Sequence, residues 1–140
     1  MVDKDLLAAK LAELADRTAR VRARVPASAE DLGADRDALD LVAFNLMLAV
    51  QSCADIASHL IADEGWPIAR TLGESFTRLE ERGVLSGKTA ERLRHAVGLR
   101  NVVAHGYAGI EVVACFHAAT SGLVHLEDFA RQVSAWATRQ

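Results

Sequence analysis

The chain has 140 residues, 51% of them hydrophobic and 25% charged, with a formal net charge of −3. That composition excludes a disordered segment and a miniature scaffold dependent on disulfides or metal, and it suits one domain over residues 1–140. The negative balance excludes a protein that grips nucleic acid by bulk electrostatics alone. No unbroken apolar run approaches the ~20 residues of a membrane span, and the opening "MVDKD" is charged, so the reading is a cytoplasmic protein with no membrane association.

In chain order, Leu7, Leu11, Leu14, Thr18, Val21 and Val25 alternate four and three apart, which predicts a first helix stopped by Pro26. Residues 27–36, "ASAEDLGADR", read as a polar connection. From Asp37 to Asp63 there is neither Gly nor Pro, and Leu39, Val42, Leu46, Ala49, Cys53, Ile56 and Leu60 repeat the stripe of a long helix. Phe44, Met47, Leu48 and Val50 widen that stripe, so burial on more than one side is expected. "EGWP" breaks the helix. Thr71 and Glu74 have capping-box spacing, Leu72, Phe76 and Leu79 mark a short amphipathic helix, and Gly83 suits its end.

A fourth helix is expected from Lys88 to His105, with Gly106 as its left-handed terminator. Val112, Phe116, Ala119, Leu123, Leu126, Ala130, Val133 and Ala137 form a last stripe, interrupted by Gly122. The fold class is therefore an all-α antiparallel bundle of about five helices. Cys53 and Cys115 have no CxxC or Cys/His spacing and read as buried thiols, and no metal site or cofactor is expected. His95, His117 and His125 also lack ligand spacing.

Charge is uneven along the chain. Residues 1–65 hold seven Lys/Arg and twelve Asp/Glu, whereas residues 66–100 hold seven basic and four acidic groups. The basic stretch leads into "RNVVAHGY", Arg100 to Tyr107, which contains the only Tyr of the chain. Asn101 and His105 are one helical turn apart and share a face, Arg100 stands about 140° from His105 around the wheel with a long side chain, and Tyr107 follows the turn allowed by Gly106. Histidine moves protons near neutrality, and the guanidinium fork matches phosphate oxygens. Together they suit attack of an RNA 2′-hydroxyl on the adjacent phosphate, without a metal. A second reading stays open, since cations at a helix C-terminus also complement the macrodipole and cap the last carbonyls. Asp55 and His59, one turn apart on the long helix, fit either a structural hydrogen bond or the wall of a cleft.

"RNVVAHGY", with "DIASHLIADEGWP" (Asp55 to Pro67), "ESFTRLEERGVLS" (Glu74 to Ser86) and "LRHAVGLRNVVAHGY" (Leu93 to Tyr107), resembles the HepT-like branch of the HEPN superfamily, clearest over residues 37–107. The resemblance implies a metal-independent endoribonuclease, the toxin of a HEPN/MNT toxin–antitoxin system, working as a homodimer with its cleft between protomers. It places Arg100 and His105 as the catalytic pair on RNA, Asn101 as the supporting polar residue and Tyr107 as the site of AMPylation. The partner it implies is an MntA-like minimal nucleotidyltransferase antitoxin that uses ATP. The alternative that the same superfamily implies is a noncatalytic nucleotide-binding or nucleotidyltransferase-docking subunit.

Overall fold

The computed structural model describes residues 1–104 and 111–140, and for residues 100–104 the backbone alone. Its elements are α1 (Lys4–Arg24), α2 (Ala29–Ala34), α3 (Arg36–Glu64), α4 (Leu72–Glu81), α5 (Gly87–Ala104), α6 (Val112–Ala119) and α7 (Leu123–Thr138), with no strand among the described residues. The all-α antiparallel bundle expected from the stripes is the architecture found.

The four long helices α1, α3, α5 and α7 make the bundle, and polar contacts along their lengths fix their directions. The N-terminal ammonium donates to the Asp63 carbonyl at 2.7 Å, while Arg17 donates to Asn45 Oδ1 at 3.2 Å, so α1 and α3 run antiparallel. Lys4 Nζ donates to the Gln140 carbonyl at 3.1 Å and Arg22 pairs with Glu127, which sets α7 antiparallel to α1. Gln132 of α7 bonds the start of α5, while Leu126 and Leu99 line a common cavity further along, so α5 opposes α7 and α3.

Inside lie Leu14, Val21, Leu46, Ile56, Leu60, Leu79, Leu93 and Phe129, each 2% exposed or less. Among the described residues α3 alone is long and apolar enough to cross a membrane, which a count of unbroken runs does not reveal. In the fold it is the central helix, packed against α1, α4, α5, α6 and α7, and its apolar residues on several sides are core. Gly65 ends it in the left-handed conformation, φ 69°, where a Cβ would be strained.

Two differences from the sequence expectation have physical causes. The 27–36 connection contains α2, capped by Ser28, whose side chain accepts from Asp31 N at 3.1 Å, and anchored by the fully buried Leu32. One large apolar residue in six gives no periodicity to read. The final stripe is two helices rather than one. At Gly122 a Cβ would lie 2.8 Å from Ala118 Cα and 3.0 Å from its carbonyl oxygen, because α7 departs immediately over the last turn of α6. Gly122→Ala should therefore cost about 1–3 kcal/mol through this backbone clash, measured as a lower urea midpoint at unchanged m-value. An unchanged midpoint would show that the turn opens freely.

The expected capping box at α4 is present. Thr71 Oγ1 accepts from Glu74 N at 3.0 Å, and Glu74 Oε2 reaches back to accept from Arg70 N at 2.8 Å, one residue before the cap. Beyond α3, Trp66 sits edge-on to Trp136 with ring centres 5.7 Å apart, and the Arg82 guanidinium lies 5.5 Å over the Trp66 ring.

Candidate functional site

Helix α5 carries Arg100 and Asn101 of the polar cluster, and its start is held firmly. Ser86 Oγ accepts from Thr89 N at 3.2 Å as the cap, Gln132 Oε1 accepts from Ser86 N at 2.9 Å, and Gln132 Nε2 donates to Thr89 Oγ1 at 2.8 Å. Ala90 and Leu93 are fully buried, and Arg94 ties one side to α4 through Thr77 Oγ1 at 3.1 Å and Glu80 at 3.4 Å. A helix fixed by its first turns and by one face presents its far end in a defined place. Arg100 and Asn101 occupy the last turns before Ala104. Their side chains, and all of His105, Gly106 and Tyr107, lie outside the described residues.

The surroundings of that end are described. Because α3 and α5 are antiparallel, Leu46 and Val50 of α3 share a cavity wall with Ala96 and Leu99 of α5. The start of α3 therefore lies beside the end of α5. Phe44 is on this part of α3 and is 51% exposed, and Val113 at the start of α6 is 52% exposed. Exposed large apolar side chains such as these suit a surface that another chain covers.

Asp55 and His59 sit further along. At ~1.5 Å per residue they lie roughly 8 and 14 Å beyond Val50 along α3, in the direction away from the end of α5. Asp55 is exposed and accepts from Gln51 Nε2 on its own helix at 3.1 Å, and His59 is half-buried.

Both cysteines are free and buried. Burial pushes the Cys53 thiol far above its ordinary range and the Cys115 thiol up to about 11, so both remain protonated, poor nucleophiles in the core. Among the described residues no three His, Cys, Asp or Glu side chains converge as metal ligands. Three of the chain's five histidines nevertheless line one cavity of about 350 Å³ between α5, α6 and α7. Sequence reasoning treated them singly. No local spacing joins residues contributed by three helices.

Comparison with known proteins places these observations in a family. The family model described as Ribonuclease HepT-like matches residues 14–133. The mRNA nuclease HepT of Shewanella oneidensis is 31% identical over 90 residues, which are 64% of this chain and 65% of that protein's length, just under two thirds. Among solved structures, a tri-AMPylated HEPN toxin of Shewanella oneidensis in complex with MNT antitoxin superimposes with a TM-score of 0.85 at 25% identity, covering 96% of this chain and 99% of that one. A toxin–antitoxin structure with AMP-PNP gives a TM-score of 0.87 at 24% identity, over 94% and 98% of the two chains, and shows the same fold.

Proposed function

The chain belongs to the Ribonuclease HepT-like family, and from that premise we propose that it is the toxin of a toxin–antitoxin pair, an endoribonuclease that cleaves RNA without a metal ion. The observation that carries the proposal is the set Arg100, Asn101, His105 and Tyr107, spaced in sequence as in the HEPN motif, with Arg100 and Asn101 in the last turns of α5. The similarity to an mRNA nuclease and to a HEPN toxin bound by its antitoxin supports it.

In the proposed reaction His105 accepts the proton of a ribose 2′-hydroxyl. The 2′-oxygen bonds to the adjacent phosphorus, the 5′-oxygen leaves and takes a proton, and the products end in a 2′,3′-cyclic phosphate and a 5′-hydroxyl. Arg100 stabilises the charge that gathers on the non-bridging oxygens, and Asn101 supports the phosphate by hydrogen bonding. Two copies of the chain enclose the cleft, and the exposed Phe44 of α3 and Val113 of α6 provide apolar surface for that pairing. Asp55 and His59 are given no proton transfer, because they lie far along α3; their proposed place is the outer rim of the cleft.

The proposed control is AMPylation. A minimal nucleotidyltransferase antitoxin catalyses attack of the Tyr107 phenol oxygen on the α-phosphorus of ATP, with pyrophosphate leaving. The adenylate adds bulk and negative charge next to the groups that hold RNA phosphate. Tyr107→Phe should still arrest growth when expressed, and intact-mass spectrometry after incubation with antitoxin and ATP should show no added adenylate. Full neutralisation of this variant in cells would assign control to antitoxin binding instead.

The test of the reaction is cleavage of total RNA in excess EDTA, by protein whose Tyr107 is shown unmodified by mass spectrometry. Fragments with 2′,3′-cyclic phosphate ends are expected. A folded, unmodified protein that leaves RNA intact would move the reading to the noncatalytic nucleotide-binding or docking subunit.

A further inference from the structure

The basic stretch before the candidate pair divides in two. Arg78 bonds Glu74 and Glu81, Arg82 lies over Trp66, and Arg94 is tied to Glu80 and Thr77. Arg92 and His95, one turn apart on α5, make no side-chain hydrogen bond or ion pair among the described residues. They open instead onto the cavity of about 350 Å³, which His117 of α6 and His125 of α7 also line. No carboxylate is among its described lining residues. The nearby Glu127 and Asp128 of α7 are paired elsewhere, with Arg22 and Arg131. Glu91, which neighbours Arg92 and stands one turn before His95 on α5, is not among the described lining residues, and a concave site rimmed by one Arg and three His favours an anion.

The cavity offers more than N–H donors. Its floor is apolar, built from Leu46 and Val50 of α3 with Ala96 and Leu99 of α5, and its volume falls in the range of small-ligand sites. An apolar floor with imidazole and guanidinium planes at the rim matches a nucleotide, whose base stacks on such planes while its phosphate takes their N–H groups. The place also fits. Leu99 immediately precedes Arg100, and Ala114 of α6 lies on the far side of the segment that bears His105 and Tyr107. The cavity is thus lined by residues that flank the motif in sequence on both sides.

We propose that this cavity is a subsite for one nucleotide of the RNA strand, in which Arg92, His95, His117 and His125 hold the phosphate beside the scissile linkage. It sets how tightly and in what register RNA lies across the cleft. The inference rests on the ribonuclease reading, but its own readout is binding.

The experiment measures the affinity of a short single-stranded RNA, 2′-O-methylated so that it cannot be cleaved, for the wild type and the Arg92→Gln/His117→Gln double variant. Both positions are exposed, so the fold should tolerate the change, and melting temperature checks this. Binding should weaken by roughly tenfold or more in the variant. With cleavable RNA, KM should rise by a comparable factor while kcat at saturation is kept. Free AMP should compete for the wild type at lower concentration than inorganic phosphate does, since it also fills the apolar floor. Equal competition by AMP and phosphate would reduce the site to an anion hole and overturn the nucleotide assignment. Equal RNA affinity in both proteins, with cleavage still lost in His105→Ala, would overturn the subsite and leave the ribonuclease reading standing. A wild type that binds RNA through these residues yet cuts none would keep the subsite and remove the ribonuclease reading. If the double variant instead changes oligomeric state and RNA affinity follows it, the face is an interface between copies and the subsite is overturned.

Discussion

His105→Ala should lower the rate of RNA cleavage by about 10²–10⁴-fold while leaving the melting temperature unchanged. The size follows from the proposed role. Removing the group that takes the 2′-proton leaves only positioning and charge stabilisation to act. Arg100→Ala should lose a comparable factor of about 10²–10³, since the guanidinium acts on charge that develops in the transition state. The double variant should fall well short of the product of the two losses, because groups acting on one transition state are not additive. Stability should be spared, since α5 is anchored in the core by Ala90 and Leu93, which lie well upstream of both positions. Initial rates on a defined RNA, with thermal melts of each variant, decide the matter. A His105→Ala protein that cleaves within a few-fold of wild type would remove His105 from the chemistry. One that cleaves poorly and also melts lower would make its role structural.

The largest structural effect should come from Phe76→Ala, at about 3–5 kcal/mol. Phe76 is fully buried and meets Phe129 of α7 edge-on, with ring centres 5.9 Å apart and planes at 87°. It holds a helix of 10 residues, too short to persist without tertiary contacts. Besides Phe76, α4 has only Leu79 and Ser75 buried, and its cap and the bond from Arg78 to the Pro67 carbonyl at 2.9 Å cannot replace the lost ring. For a chain of this size such a loss is a large fraction of the ~5–15 kcal/mol total and should lower the melting temperature by roughly 10–20 °C. A double-mutant cycle with Phe129→Ala should show coupling of about 0.5–1.5 kcal/mol beyond area burial. A loss under ~1 kcal/mol would mean that α4 is not clamped to α7 through this pair.

Much of the bundle was legible because helical burial is a local, repeating property. The stripe from Leu39 to Leu60 needs only its own spacing to announce a helix and its apolar face, and Thr71 with Glu74 announces a cap, since the bonds run within four residues. The candidate motif could be picked out for a similar reason, as Arg100, Asn101, His105 and Tyr107 lie within one short stretch.

The tertiary structure decided what depends on separate elements meeting. It decided that Gly122 starts a new helix, because only the approach of α7 to Ala118 forbids a side chain there. It decided that Val50 of the widened α3 stripe is buried against other helices while Phe44 is left exposed, and that α2 forms around Leu32. It placed Asp55 and His59 along α3, away from the end of α5, which their spacing alone could not tell. It also gathered His95, His117 and His125 around Arg92. Distances along the chain are fixed by covalent geometry and helical pitch, but which faces of different helices share a cavity is set by the packing of the whole bundle.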